Sequence, residues 1–517
     1  MVAIRSLTTL IAALFINSSQ ARLPYQQGPP GYAADVNGNY QSIPSTGRNI
    51  PSGRPQPYGN PGYNNPGYPG YSTGGSVGYP TGGLAGSPTG YSPHQPTGNV
   101  PYAPTGTAPA RRARPTYVYG TNTGGHLIVE KWMTPDLFDN TDATDQWSLD
   151  QTYGAEAKLK KHWDTYYTKE DFVKIKEWGL NTVRIPIGYW AYDNSGTPYI
   201  QGADYYLERM IEWCREIGLW VLVDCHGSPG SQNGFDNSGR AGKAHWQSGN
   251  NLQKSTAVLR KIAQKYGSME YADVVWGIQL VNEPISWNDN KLEVTQQWTQ
   301  KAYPVVRATA ANKDLVILMH DGFMGPSNWI ETGDAINSAA AQSYNPTGRR
   351  TSYTNSESPS TFAIDTHLYQ NQAAEDKNLT QHQHILKACA WTHTNLLSNS
   401  THNNTLPVYI GEFSAATDIC ANPDGSTLAG SACYEDGCQC ANNVAIENWQ
   451  RPLKDATRQF FEAELEAFEK GAQGWFVWSW KGPGGWGLEN LVREGVVGRT
   501  VGDRKFKGVC GSQGGGV

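Results

Sequence analysis

Residues 274–284 read Val-Val-Trp-Gly-Ile-Gln-Leu-Val-Asn-Glu-Pro. The mostly apolar run Val274–Val281 suits a strand covered on both faces, and Asn282-Glu283-Pro284 then sets polar groups just past its C-terminal end. By itself the tripeptide also fits the first turn of a helix, with Glu at the positive end of the dipole and Pro at the first helical position. The neighbouring sequence decides between these readings. Seven more short apolar runs occur after Tyr117: Leu127–Val129, Thr182–Ile187, Leu219–Val223, Leu315–Met319, Phe362–Ile364, Val408–Ile410 and Trp475–Trp478. Helix-length amphipathic stretches lie between several of them, namely Lys169–Trp178, Tyr205–Ile217, Leu252–Tyr266, Val294–Ala308 and Asp455–Lys470. Eight strand–helix units predict an α/β fold of the (β/α)8 TIM-barrel type.

An open, doubly wound sheet is the competing architecture. Against it, no Gly-rich turn precedes a helix in a way suited to a phosphate, and polar residues gather beyond nearly every strand. Those positions are Glu130, Arg184, His226, Asn282 with Glu283, His320 with Asp321, His367 with Tyr369, Glu412, and Trp480. In a barrel they all face one mouth, and this convergence is the functional signal. Two carboxylates across such a mouth suit cleavage of a glycosidic bond, which needs one acid for the leaving oxygen and one carboxylate on the opposite face of the ring. Glu283 is expected as acid/base, its pKa raised by an ionised Glu412, and Glu412 as the nucleophile. A buried ion pair of Glu412 with Arg184 is a structural reading that the catalytic one can contain. No close-spaced His/Cys motif points to zinc, so neither a catalytic metal nor any other cofactor is expected.

Before residue 117 the texture differs. Arg5, the apolar stretch Leu7–Ile16 and Ser19-Gln20-Ala21 predict a secretory signal over residues 1–21. Residues 22–116 repeat Pro-Gly-Tyr and Pro-Thr-Gly, and 18 of the 31 prolines lie before residue 116. Too few aliphatic side chains remain to offset ordering entropy, so this stretch is expected to be a disordered linker. Arg111-Arg112-Ala113-Arg114 reads equally as a processing site or as the linker's charged end. The barrel is expected over residues 117–511, with a flexible tail at 512–517.

A net charge of −5 without a long basic block excludes nucleic acid as a partner, and no segment has the ~20 apolar residues of a membrane anchor. Disulfides are expected among Cys420, Cys433, Cys438 and Cys440 and between Cys389 and Cys510, while Cys214 and Cys225 read as small buried hydrophobes. Asn378, Asn399 and Asn403 begin N-glycosylation sequons. The protein is expected to be secreted or associated with a cell wall.

Four runs carry a resemblance: Asn181–Trp190, the fourteen residues His226–Gly239, Gly277–Pro284 and Gly411–Ala415. From about Tyr119 to Cys510 the chain resembles the fungal exo-β-1,3-glucanases of glycoside hydrolase family five. The resemblance implies a monomeric retaining enzyme that releases glucose from the non-reducing ends of β-1,3-glucan. It implies Glu283 as acid/base, Glu412 as nucleophile, Asn282 on the sugar 2-hydroxyl and Arg184 fixing the nucleophile. It further implies His226, His367 and Tyr369 around the cleavage point, Glu130 on the terminal glucose, Trp480 as the platform beneath it, and Phe235 clamping the next sugar. The sequence departs from the pattern at His126, Phe413, Cys225 and the loop Gln370–Ala374, which lacks the Phe expected opposite Phe235. That loop motivates an alternative, an endo-acting or β-1,6-preferring glucanase or transglycosylase. A non-catalytic glucan-binding wall protein is the reading from a different class.

Overall fold

The computed structural model describes residues 32–34, 40–42, 112–343, 362–392 and 406–511. The chain divides into two units, residues 1–43 with 110–517, and residues 44–109. The second unit lies outside the described residues, as do the expected signal, most of the Pro/Gly/Tyr segment and the tail. Within that segment Tyr32–Ala34 and Tyr40–Ser42 pair as a short antiparallel ladder, which the composition does not suggest.

Eight parallel strands close into a barrel. They are β1 Val118–Asn122, β2 Thr182–Gly188, β3 Trp220–Gly227, β4 Val275–Gln279, β5 Val316–His320, β6 Phe362–His367, β7 Val408–Phe413 and β8 Gly474–Val477. Each strand pairs with the next, and β8 closes on both β7 and β1. The helices that follow them are α1 Lys169–Glu177, α2 Ala203–Ile217, α3 Asn251–Tyr266, α4 Leu292–Thr309, α5 Ile330–Ser343, α6 Gln381–Trp391, α7 Arg451–Gly471 and α8 Leu488–Arg493. Their buried stripes recur at helical spacing, as in Leu207, Met210, Ile211 and Cys214 of α2, and pack outside the strands.

One strand differs from expectation. Leu127–Val129 is a buried segment beyond β1 rather than the first strand, which is Val118–Asn122. That strand carries little aliphatic content because it faces the barrel interior with Gly120 and Asn122. A Cβ on Gly120 would lie 2.2 Å from the Phe476 ring, so a side chain there would displace the packing.

The barrel interior changes character from floor to mouth. Trp220 and Leu222 of β3, Val316 and Leu318 of β5, and Ala363 of β6 form an apolar floor with Phe476. The strand period of two carries the same faces upward to Asp224 and His226, His320, and Asp365 and His367. Arg112, from the basic run, donates to Leu219 O at 2.6 Å and lies over the Trp220 ring, so this residue is engaged with the barrel.

Cys389–Cys510 ties α6 to the C-terminal segment, and Cys420–Cys440 with Cys433–Cys438 staple the excursion between β7 and α7. Cys214 and Cys225 are free and buried, as read from their positions. No helix among the described residues is long and apolar enough to cross a membrane.

Candidate active site

Arg184 rises from β2 to the centre of the mouth and is fully buried. Its Nη1 donates to Glu412 Oε1 at 2.7 Å and to Asn122 Oδ1 at 2.8 Å; its Nε donates to Gln279 Oε1 at 2.9 Å. Nη2 donates to Asn282 Oδ1 at 2.7 Å and sits 3.1 Å from Asp224 Oδ2. A guanidinium can satisfy this many acceptors in a fixed fork where an ammonium cannot.

Glu412 ends β7. Its Oε1 is held by Arg184, and its Oε2 accepts from the Tyr369 hydroxyl at 2.9 Å. Glu283 stands beyond β4 at φ +46°, a left-handed backbone that a residue with a side chain adopts only when its surroundings fix it. Its Oε1 contacts His367 Nδ1 at 2.8 Å, and its Oε2 accepts from Asn237 Nδ2 at 2.7 Å. The same His367 Nδ1 is 3.4 Å from Glu412 Oε2, while Nε2 meets Asp365 Oδ2 at 3.0 Å. Asp365 also accepts from Gln279 Nε2, and it fits because position 411 is glycine: a Cβ there would lie 2.1 Å from Asp365 Oδ1.

Charge is distributed differently from expectation. Burial opposes an imidazolium at His367, but Glu412, Asp365 and Glu283 outweigh it and hold its pKa well above the ordinary value. Burial also works to raise Glu283, yet the hydrogen bond and charge of His367, then His226 and Asn237, overcome it. The Glu283 carboxyl therefore lies below its usual range, not above it as an ionised Glu412 alone would require. Burial lifts Glu412, with Glu283 adding and His367 and Arg184 opposing. Each of these three groups thus sets part of the electrostatic environment of the other two.

The cleft above this network has a volume of about 440 Å³ and is lined by Glu130, Phe235, Tyr369 and both glutamates, as expected. Trp132, Asp236, Asn237, Phe323, Trp478 and Trp486 complete much of its wall. Glu130 accepts from Trp132 Nε1 at 2.9 Å; burial and then Asp236 push its carboxyl well above the usual range.

Trp480 is not the platform. Its side chain is buried in the packing outside the cleft, and Trp478 lines the cleft instead, its ring stacked on His226 at 5.4 Å and 11°. The strand β8 stops at Val477, one residue earlier than its apolar run suggests, so Trp478 is the first residue past it. His226 contacts Asp224 Oδ2 through Nδ1 at 2.6 Å and lies 3.4 Å from Asn282 Nδ2 through Nε2. The loop after β3 is latched to β4 by Gln232, whose Nε2 donates to both His226 O and Asn282 O.

Glu283, His320 and His367 bring one donor atom each within 4.8 Å of one another. Both His367 nitrogens already have carboxylate partners; His320 Nδ1 accepts from the Gly322 N–H at 3.1 Å, and its buried Nε2 has no hydrogen-bond partner among the described residues. Asn378 lies just before α6, whose first turn Thr380 caps by accepting from Gln383 N–H. Asn399 and Asn403 lie outside the described residues.

Asn122, Asp224, Asp236, Asn237, Gln279, Asp365 and Trp478 are site residues that the sequence reading missed. Asp224, Gln279 and Asp365 have a readable signal, a polar residue inside an apolar strand. Asn237 lies in the quoted run His226–Gly239 without a chemical role. Nothing local marks Trp132 or Trp486.

A closed parallel barrel whose mouth sets two glutamates against each other under aromatic walls is an arrangement suited to a glycosidase. The family model Cellulase (glycosyl hydrolase family 5) matches residues 141–482, and the chain belongs to that family. It is 33% identical over 419 residues to the "Probable glucan 1,3-beta-glucosidase" of Arthroderma benhamiae, covering 77% of this chain and 93% of that one. It is 31% identical over 424 residues to the "Glucan 1,3-beta-glucosidase 1" of Schizosaccharomyces pombe, covering 78% and 94%. The solved rutinosidase from Aspergillus niger shares the fold, with a TM-score of 0.54, 19% identity, and coverage of 74% of this chain and 98% of that one.

Proposed function

We propose that this protein is a retaining β-glucan hydrolase that releases glucose from the non-reducing ends of β-1,3-glucan, with Glu283 as acid/base and Glu412 as nucleophile. The observation that carries the retaining mechanism is the shared contact of both carboxylates with His367 Nδ1, at 2.8 and 3.4 Å. Their facing oxygens thus lie at most about 6 Å apart, which is compatible with the ~5–5.5 Å carboxyl separation of a retaining pair. Glu283 gives its proton to the leaving oxygen as the C1–O bond breaks and Glu412 bonds to C1. Water then attacks C1, losing a proton to Glu283 as Glu412 departs.

The substrate reading rests on the relatives named above and on the cleft. Trp478 offers an aromatic face to a pyranose, and Glu130 and Asp236 offer acceptors to its hydroxyls. Phe235 contributes a wall for the next sugar. Arg184 and Tyr369 fix Glu412, Asn282 stands ready for the sugar 2-hydroxyl, and the intact buried charge set argues against a non-catalytic binding protein. A second reading, endo action or β-1,6 preference, is favoured by Asn371 and Gln372, whose amides line the cleft where an aromatic is expected. Three disulfides support a secreted, oxidising setting, with the protein acting as a monomer.

The test is digestion of laminarin and of a β-1,6-glucan by the wild type and Glu412→Gln, following products and their initial anomer. β-Glucose alone from laminarin, lost in the variant, is the expected result. A ladder of oligosaccharides would favour the endo reading, and α-glucose would overturn retention.

A further inference from the structure

The loop after β3 contains a chain of side-chain amides whose direction is fixed at every link. The Phe235 N–H donates to Asn233 Oδ1 at 2.9 Å, which leaves Asn233 Nδ2 as the donor to Asn237 Oδ1 at 3.0 Å. That contact in turn leaves Asn237 Nδ2 to donate to Glu283 Oε2 at 2.7 Å. The chain starts at the backbone of the residue whose ring lines the cleft and ends on a carboxylate oxygen of the acid/base.

We infer that Asn233 and Asn237 form a directional relay that ties the turn carrying Phe235 to the protonation of Glu283. Both are positioning residues that act through Glu283, and the inference rests on Glu283 being the acid/base. While the relay is intact, Glu283 Oε2 can only accept a hydrogen bond, which favours the ionised form. A sugar that seats against Phe235 and shifts this turn turns the Asn237 amide away and frees Oε2 for a proton. The acid then becomes available where a leaving group is present.

Other groups face Glu283 too: His367 from β6, Glu412 from β7, His226 from β3, His320 from β5, and Tyr369 and Glu130 from the cleft wall. The variant must leave these in place. Asn233→Asp does so, because a carboxylate oxygen still accepts from the Phe235 N–H but nothing remains to donate to Asn237 Oδ1. The Asn237 amide then reverses, donating to the carboxylate introduced at position 233 and presenting Oδ1 to Glu283, which must hold a proton to meet it.

The experiment is the pH profile of kcat/KM on laminarin for wild type, Asn233→Asp, Asn237→Ala and Glu283→Gln, repeated with a dinitrophenyl β-glucoside whose leaving group needs no acid. Asn233→Asp and Asn237→Ala are expected to move the alkaline limb on laminarin upward by roughly one pH unit. Because Asn233 lies off the cleft wall, Asn233→Asp should do so with little change in glycosylation of the enzyme by the aryl glucoside. An unmoved alkaline limb in both variants overturns the relay. Full laminarin activity in Glu283→Gln would instead overturn the acid/base assignment beneath it.

Discussion

Arg184→Met puts the buried network to its most direct test. Arg184 is fully buried and makes five polar contacts of 2.7–3.1 Å. Methionine fills much of the same volume but leaves Glu412 and Asp224 without their cation and Asn122, Gln279 and Asn282 without a donor. Removing one partner of a buried ion pair costs about 3–5 kcal/mol, because the remaining charge has lost its water and gained nothing. For a domain of this size the melting temperature should fall by roughly 4–6 °C in calorimetry. The activity profile gives a second reading. Arg184 opposes the upward push of burial on Glu412. Without it Glu412 rises further, and since the proposed nucleophile must be ionised, the acidic limb of kcat moves to higher pH by about one unit or more. Arg184→Lys keeps the charge but has three donors for five acceptors, so it should recover most of the stability and little of the rate. If Arg184→Met melts like the wild type and its acidic limb stays in place, the network does not hold Glu412 and the reasoning fails.

Two further outcomes follow from the site and its surroundings. Trp478→Ala should lower kcat/KM on laminarin at least tenfold through loss of the sugar-facing ring and of the stack on His226, whereas Trp480→Phe should alter thermal stability alone; the opposite pattern in steady-state kinetics would restore Trp480 as the platform. His162 is buried with its pKa lowered by burial to about 4 from 6.5, partly offset by its contact with Gly125 O. The unfolded chain therefore binds a proton that the folded chain refuses, so its contribution to stability is whole above pH 6.5 and is lost as pH falls toward 4, about 3 kcal/mol at the limit. Urea titrations at pH 7 and pH 4 should show His162→Gln losing less stability between the two than the wild type, and equal losses would exclude His162 as an acid-sensitive point.

The barrel is legible because its physical signal is long-range and redundant. Seven of the eight apolar runs fall on strands, and all five amphipathic stretches fall on helices, since covered strands and half-buried helices demand those patterns whatever the chemistry at the mouth. The exception, β1, shows where the signal ends. Above Val118 its inward positions are Gly120, required small by Phe476, and Asn122, which the site uses to hold Arg184. A strand that serves the site carries less of the pattern that reveals strands.

The same trade explains the site. Glu283, Glu412, Asn282, His226, His367 and Tyr369 are visible because they stand at strand ends or just past them, where sequence position maps directly onto the mouth, and Arg184 because it is a charged residue inside the apolar strand β2. Trp478 is missed because the apolar run is read one residue past the end of β8, and a strand end is where hydrophobicity is least informative. The protonation pattern is missed for a different reason. The expected rise of Glu283 follows from one pair of like charges, but the geometry inserts His367 between them and supplies Asn237 from a loop that latches onto β4 through Gln232. A pairwise electrostatic argument read from sequence can therefore have the right partners and the wrong sign, because the sign depends on the third group that reaches both.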